Sequence, residues 1–181
     1  MKVLKEVKID KNRLKRSVLY TLTAVVASLI FLLVSFKVFS KFYKVWFMES
    51  NSDYTMLMIC TSKPVPLSEF KRGDFVGFYY QGKDFPQYRL TKGKFVIKQI
   101  WGFPGDLLRI DEKYNKVYIN GELKGAILKT DRFGNPVEHF HYNGRIPQGK
   151  IFVMAPHPRS FDSRYYGFVE VKQLYKCWAL F

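Results

Sequence analysis

The chain has 181 residues, of which 48% are hydrophobic and 18% are aromatic. This composition excludes wholesale disorder, and the length suits one folded domain of about 100–150 residues plus a short additional segment. The formal net charge of +15 favours an anionic partner, either a nucleic acid or an anionic membrane surface.

The charge at the N-terminus favours the membrane. Residues 1–16 contain seven lysines and arginines against two acidic residues, and residues 17–36 contain no charged residue. About 20 helical residues cross a hydrocarbon core of ~30 Å. We therefore predict a basic cytoplasmic tail (1–16), a single transmembrane helix (17–36) with anionic phospholipid beside it, and an exported remainder. A cleaved export signal is the alternative, but the apolar stretch is long for one and no small-x-small cleavage site follows Phe36.

The rest of the chain has strand-like rather than helical patterning. Residues 37–53 are interpreted as a juxtamembrane linker, with Trp46 and Phe47 at the membrane interface. Short apolar runs separated by turns then indicate an antiparallel, mainly β domain over residues 54–181. The runs expected to form strands are 54–59, 75–80, 95–101, 107–110, 116–119, 122–128, 151–155, 168–171 and 175–181. Asn120-Gly121 predicts a two-residue hairpin turn. Residues 130–149 are polar and contain glycines, and they are expected to form a surface loop or ribbon.

The cysteines and histidines are few. Cys60 and Cys177 could pair in an exported domain, but their separation in sequence does not establish the required geometry. His139 and His141 form a His-x-His pattern that could hold a metal ion, although a solvated strand or loop face is the expected role. We expect no metal and no cofactor.

Lys98 stands out because it interrupts an apolar strand. Burial disfavours the charged ammonium and lowers the pKa of a lysine, so a buried lysine can act as a general base for a serine. The alternative is that Lys98 lies on the solvent face of a half-buried strand. Periodicity alone favours the solvent-face alternative. The sequence shows no motif of a conventional Ser-His-Asp triad.

Four segments in order resemble the signal peptidase I family. Residues 95–106 resemble the segment with a general-base lysine four residues before a glycine, followed by Pro-Gly-Asp, which puts Lys98 at the base. Residues 160–167 match the Ser-x-Asp-Ser-Arg motif, residues 71–76 the Arg-Gly-Asp box, and residues 117–121 the central hairpin. The ordered set covers most of the chain from about residue 54. It implies the signal peptidase I fold behind one N-terminal transmembrane helix.

The resemblance also implies supporting residues. Ser160 would hydrogen-bond to the Lys98 amine and orient it. Asp162 and Arg164 would form an ion pair or polar network that supports the site.

The nucleophile segment departs from ordinary leader peptidases, since their Ser-Met-x-Pro-Thr is absent. Residues 60–64 instead resemble the Thr-x-Ser-x-Pro of TraF-like conjugative-transfer peptidases, which puts Ser62 at the nucleophile. Thr61 and Cys60 remain alternatives. The backbone N–H of Ser62, and Cys60 in the place of a family hydroxyl, would bind the oxyanion, although a thiol is a weak donor.

The expected function is a membrane-bound Ser-Lys endopeptidase with its catalytic domain in the periplasm. Its substrate would be an exported precursor, either a conjugative pilin or a protein bearing a signal peptide, with hydrolysis or cyclisation as the outcome. The first alternative is a catalytically silent membrane component of a conjugative secretion or pilus apparatus. Nucleic-acid binding rests on charge alone and is not expected.

Overall fold

A computed structural model describes residues 11–49, 55–131 and 133–180. Most of the basic N-terminal tail, residues 1–10, therefore lies outside the described residues. Helix α1 (Lys11–Phe42) is long and apolar enough to cross a membrane, with a mean hydropathy of 2.4 over its most apolar window. It extends six residues beyond each end of the predicted span, because the lysines and arginines on either side are themselves good helix formers.

The chain divides into two compact units, residues 1–42 and 43–181, and the regular secondary structure described in the second is mainly β-strand. The strands are β1 (Tyr43–Glu49), β2 (Thr55–Thr61), β3 (Phe75–Tyr79), β4 (Phe95–Gly102), β5 (Leu107–Asp111), β6 (Lys116–Ile119), β7 (Glu122–Ala126), β8 (Asn143–Arg145), β9 (Lys150–Met154), β10 (Val169–Glu170) and β11 (Tyr175–Ala179). The four-residue helix α2 (Ser163–Tyr166) precedes β10. The predicted mainly β domain behind one N-terminal helix is confirmed.

The strands form two antiparallel sheets. The seven-stranded sheet has the order β1-β2-β11-β3-β4-β9-β10, and the four-stranded sheet has the order β7-β6-β5-β8. One core cluster packs on a face of the larger sheet around Val76, Ile100 and Leu174. A second cluster, around Leu108, Ile119 and Phe152, joins the smaller sheet to β9. The first of these clusters packs against strand β4, which carries Lys98.

The predicted linker is corrected by the structure. Residues 43–49 form strand β1, which pairs with β2 along its whole length. Trp46 stacks on Phe95 with a ring separation of 4.3 Å and packs against a third core cluster, so the folded domain accounts for its aromatic character. Successive side chains of residues 43–49 point to opposite faces of the strand. This alternation was not recognised in the sequence because the segment directly follows the apolar helix. The β domain therefore begins at residue 43 and not at residue 54.

The hairpin between β6 and β7 agrees with the sequence. Asn120 and Gly121 both have positive φ, at 52° and 85°, as a two-residue turn of this kind requires. Asn120 also caps the start of β5, because its side chain accepts a hydrogen bond from the N–H of Leu107 at 2.8 Å. The described part of residues 130–149 is largely irregular and contains the short strand β8.

A disulfide joins Cys60 on β2 to Cys177 on β11. The two residues are direct cross-strand partners in the sheet. The bond closes a loop with a sequence separation of 117 residues. In the chain-entropy account, a loop of this length constrains the unfolded chain strongly.

Replacing both cysteines with alanine should therefore lower the free energy of unfolding by about 2–4 kcal/mol. Chemical denaturation of the full chain in detergent, followed by tryptophan fluorescence, measures this change. A reductant should destabilise the wild type and leave the Cys60→Ala/Cys177→Ala variant unaffected. Equal stability of the oxidised wild type and the variant would contradict the prediction.

Candidate active site

Lys98 lies in the middle of β4, on the face of the larger sheet that packs against the first core cluster. Val96 and Ile100 share this face, because side chains two residues apart along a strand point the same way. Its cross-strand partner on β3 is Val76, which is fully buried with Ile100. Lys98 itself is half-buried. The lysine therefore lies among apolar side chains and not on the solvated face of the strand.

The Lys98 amine donates a hydrogen bond to the Ser160 hydroxyl oxygen at 2.7 Å. Burial lowers the pKa of Lys98 below its ordinary 10.5; the charge of Asp162 opposes this lowering and the charge of Arg164 adds to it. A lowered pKa increases the fraction of neutral amine, which has a lone pair that can accept a proton. The arrangement can therefore supply a general base.

Asp162 and Arg164 form a buried ion pair beside this contact. The Asp162 side chain is fully buried and that of Arg164 is 3% exposed. Two guanidinium nitrogens donate to the two carboxylate oxygens, Nε at 2.8 Å and Nη2 at 2.7 Å. Asp162 also accepts hydrogen bonds from the backbone N–H groups of Ala155 and Arg164. The remaining acceptor capacity of the carboxylate is thus used, which a buried charge requires.

Arg164 connects this pair to the lysine through Ser160. Its Nη2 donates to the backbone oxygens of Ser160 and His157, each at 3.2 Å, and its Nη1 donates to Ala126 at 2.9 Å. Arg164 therefore holds the backbone of Ser160 in place, and the Ser160 hydroxyl accepts a hydrogen bond from the Lys98 amine. A continuous chain of contacts runs from Asp162 through Arg164 and Ser160 to the Lys98 amine.

Ser62 directly follows β2 and lies one residue beyond Thr61, which the strand register places level with Lys98. Strands β11 and β3 lie between β2 and β4. After Ser62 the proline-rich turn returns to β11, where the N–H of Val65 donates to Leu174 at 2.8 Å. Val65 and Val96 both pack against the first core cluster, so the turn folds over the face that carries Lys98. A direct hydrogen bond between the Ser62 hydroxyl and the Lys98 amine stays a prediction.

The two alternative nucleophiles have the following contacts. The Thr61 hydroxyl oxygen accepts a hydrogen bond from the backbone N–H of Lys176 at 3.2 Å. Cys60 is bonded to Cys177, and a disulfide sulfur carries no hydrogen and is not a thiolate. The expectation that Cys60 could act as a nucleophile or donate to the oxyanion is therefore wrong for the disulfide-bonded chain. The geometry of the strand pair, which sequence separation does not reveal, explains the difference.

Two residues of the Ser-x-Asp-Ser-Arg region have structural roles that the sequence did not predict. Ser163 is fully buried, and its hydroxyl oxygen accepts a hydrogen bond from the N–H of Val153 on β9 at 3.0 Å. Burial, followed by the charge of Asp162, raises the pKa of Tyr166 well above 10.0, so this tyrosine stays neutral. The Ser-x-Asp-Ser-Arg motif was the available signal for both residues, since Ser163 belongs to it and Tyr166 lies two residues after its arginine.

The comparisons with known proteins decide the family. The family model described as "Signal peptidase, peptidase S26" matches residues 15–176. The chain belongs to this family. It is 30% identical over 102 residues to signal peptidase I of Bacillus caldolyticus, which covers 50% of this chain and 55% of that protein. The chain thus spans about half the length of the curated relative that it matches.

A solved structure is also similar. The crystal structure of a signal peptidase I from Enterococcus faecalis matches with 24% sequence identity and a TM-score of 0.37. The match covers 58% of this chain and 92% of that one.

Proposed function

We propose that the chain is a membrane-bound serine endopeptidase of the signal peptidase I type, with Ser62 as nucleophile and Lys98 as general base. The observation that supports it most is the hydrogen bond from the Lys98 amine to Ser160, held by a buried Asp162–Arg164 pair. Placing a lysine among apolar side chains lowers the stability of the fold, because burial disfavours the charged ammonium. A lysine that is kept there and oriented by a hydroxyl therefore indicates a functional role.

The orientation of the amine suits proton transfer. A neutral amine has two N–H groups and one lone pair. Donation of one N–H to Ser160 fixes the amine and leaves the lone pair for a second hydroxyl. Ser160 is therefore a positioning residue, and Asp162 and Arg164 act through it.

The reaction would proceed by acyl transfer. The Ser62 hydroxyl attacks the substrate carbonyl while Lys98 takes its proton, and the backbone N–H of Ser62 donates to the oxyanion. Lys98 then delivers the proton to the leaving amine, which departs from an acyl-Ser62 intermediate. Water releases the product, or an amine of the substrate attacks instead and gives a cyclised chain.

The proposed substrate is an exported precursor with small side chains at the cleavage site. The Cys60-Thr61-Ser62-Lys63-Pro64 segment, which resembles the TraF-like branch, favours a conjugative pilin over a general secretory protein. The basic residues within 1–16 favour a cytoplasmic N-terminus and a periplasmic β domain beside anionic phospholipid. A disulfide in the β domain agrees with an oxidising compartment.

Replacing Ser62 with alanine is expected to reduce cleavage of a co-expressed precursor by about 10³-fold or more, because the bond-forming oxygen is lost. Cleavage is followed in membranes by the mobility of the mature product. Ser68→Ala removes an exposed hydroxyl six residues further along the chain and serves as the matched control. Thr61→Val should retain activity.

A serine-reactive inhibitor with intact-protein and peptide mass spectrometry identifies the acylated residue. The proposal predicts an adduct on Ser62 that is absent from Ser62→Ala. Normal processing by Ser62→Ala, or an adduct on Thr61, would overturn the assignment. A chain that forms no adduct and processes no precursor would support the silent membrane component instead.

A further inference from the structure

Three potential metal ligands meet at one end of the four-stranded sheet. Glu112 directly follows β5, and His139 and His141 shortly precede β8. Strands β5 and β8 are antiparallel neighbours, and the hydrogen bond from the N–H of Ile110 to the oxygen of Tyr142 continues their pairing at 3.1 Å. The fold therefore brings together a carboxylate and a His-x-His pair that are far apart in the sequence.

The three side chains are close enough to share one ion. One potential ligand atom from each lies within 4.8 Å of the other two. The His141 Nδ1 atom and a Glu112 carboxylate oxygen are 2.6 Å apart, and the rings of His139 and His141 are 4.3 Å apart between centroids. The Glu112 and His141 side chains are 60% and 64% exposed, so both have room to adjust.

His139 contributes a second, independent observation. Its Nε2 atom is buried and has no hydrogen-bond partner within the described ranges. A buried polar atom without a partner costs free energy, and a bound cation is one way to satisfy it. An imidazole ring with one unprotonated nitrogen offers a lone pair, which is the form of histidine that binds a metal ion.

We propose that Glu112, His139 and His141 bind a divalent transition-metal ion of the zinc type. Imidazole and carboxylate are ligands that zinc accepts at about 2.0–2.2 Å, usually with four ligands in a tetrahedron, so water would fill the fourth position. Tetrahedral ligands at these distances lie about 3.3 Å apart. The Glu112 and His141 ligand atoms, now 2.6 Å apart, would therefore move slightly apart when the ion binds. Any pair of ligand atoms that is now separated by up to 4.8 Å would move closer through rotation of the exposed Glu112 and His141 side chains.

The ion would fasten an irregular segment to the sheet. Within residues 127–142, the described part forms no helix or strand beyond an isolated bridge between Thr130 and Pro136. Phe140 lies between the two histidines, and its N–H donates to the backbone oxygen of Arg164 at 2.8 Å. A bound ion therefore steadies the segment that contacts Arg164, and its role is structural. This inference is independent of the proposed peptidase activity.

Equilibrium dialysis of the full chain in detergent against Zn²⁺, with no added histidine tag, tests the proposal. The wild type should bind a single equivalent of zinc, and its thermal midpoint should rise with zinc. His139→Ala and His141→Ala should each weaken binding by about tenfold or more, since even ligand-supporting residues have effects of this size. His157→Ala removes the chain's third histidine and should bind as the wild type does.

Glu112→Gln should not affect folding, because Glu112 is exposed and glutamine has a similar size. It should also weaken zinc binding. The proposal is overturned if the wild type binds zinc no more tightly than the His139→Ala and Glu112→Gln variants. It is equally overturned if His157→Ala loses binding to the same extent as His139→Ala.

Discussion

Replacing Lys98 with methionine is expected to reduce precursor cleavage by about 10³-fold or more. Methionine keeps an unbranched apolar stem in the position that Lys98 occupies between Val96 and Ile100, and it removes the amine. The base for the Ser62 hydroxyl and the proton donor for the leaving amine are then lost together. Cleavage of a purified precursor in detergent, measured as kcat/KM, gives the effect.

Stability separates this loss from unfolding. Because the protein disfavours the charge on Lys98, Lys98→Met should unfold at the same temperature as the wild type or higher. Lys94→Met makes the same substitution at an exposed lysine just before the same strand and should leave kcat/KM unchanged. A folded Lys98→Met variant with wild-type kcat/KM would refute the role of this amine.

Replacing Asp162 with asparagine should lower the free energy of unfolding by about 3–5 kcal/mol. The change leaves the Arg164 guanidinium buried without a counter-charge, and the bidentate contact loses its negative partner. Glu170→Gln is the matched control, since its ion pair with Lys150 is exposed and worth about 1 kcal/mol or less. Denaturant unfolding of the three chains measures both differences.

A double variant separates stability from positioning in the same pair. Asp162→Leu/Arg164→Met removes both charges and should recover much of the stability lost in Asp162→Asn, because apolar replacements of buried pairs are often neutral or better. Cleavage should stay low, since no guanidinium then holds the Ser160 backbone beside Lys98. Full recovery of cleavage together with stability would show that the pair has no positioning role.

The strand pattern was accessible from the alternation and turn signals of the sequence. The site's contacts were accessible only through the resemblance to the signal peptidase I family, which implied Ser160 and the Asp162–Arg164 pair as partners of Lys98, whereas periodicity alone favoured the solvent face for that lysine. Short-range signals were equally reliable, because Asn120-Gly121 specifies its turn through local backbone preferences alone.

The features that the sequence did not predict depend on partners far along the chain. Strand β1 becomes a strand through pairing with β2, and its position directly after the helix obscured its alternation. The Cys60–Cys177 contact depends on the placement of β11 beside β2, which spacing does not determine. The same reason applies to Glu112, whose proximity to His139 and His141 follows from the pairing of β5 with β8.

The pH dependence of kcat/KM tests the central claim most directly. Only the neutral amine of Lys98 accepts a proton, so the rate should rise with pH and level off once Lys98 is deprotonated. Because burial lowers the pKa of Lys98, this rise should end below pH 10.5, the ordinary value for a lysine. A rate that still increases tenfold per pH unit through pH 10.5, or that does not respond to pH at all, would contradict a buried Lys98 as the general base.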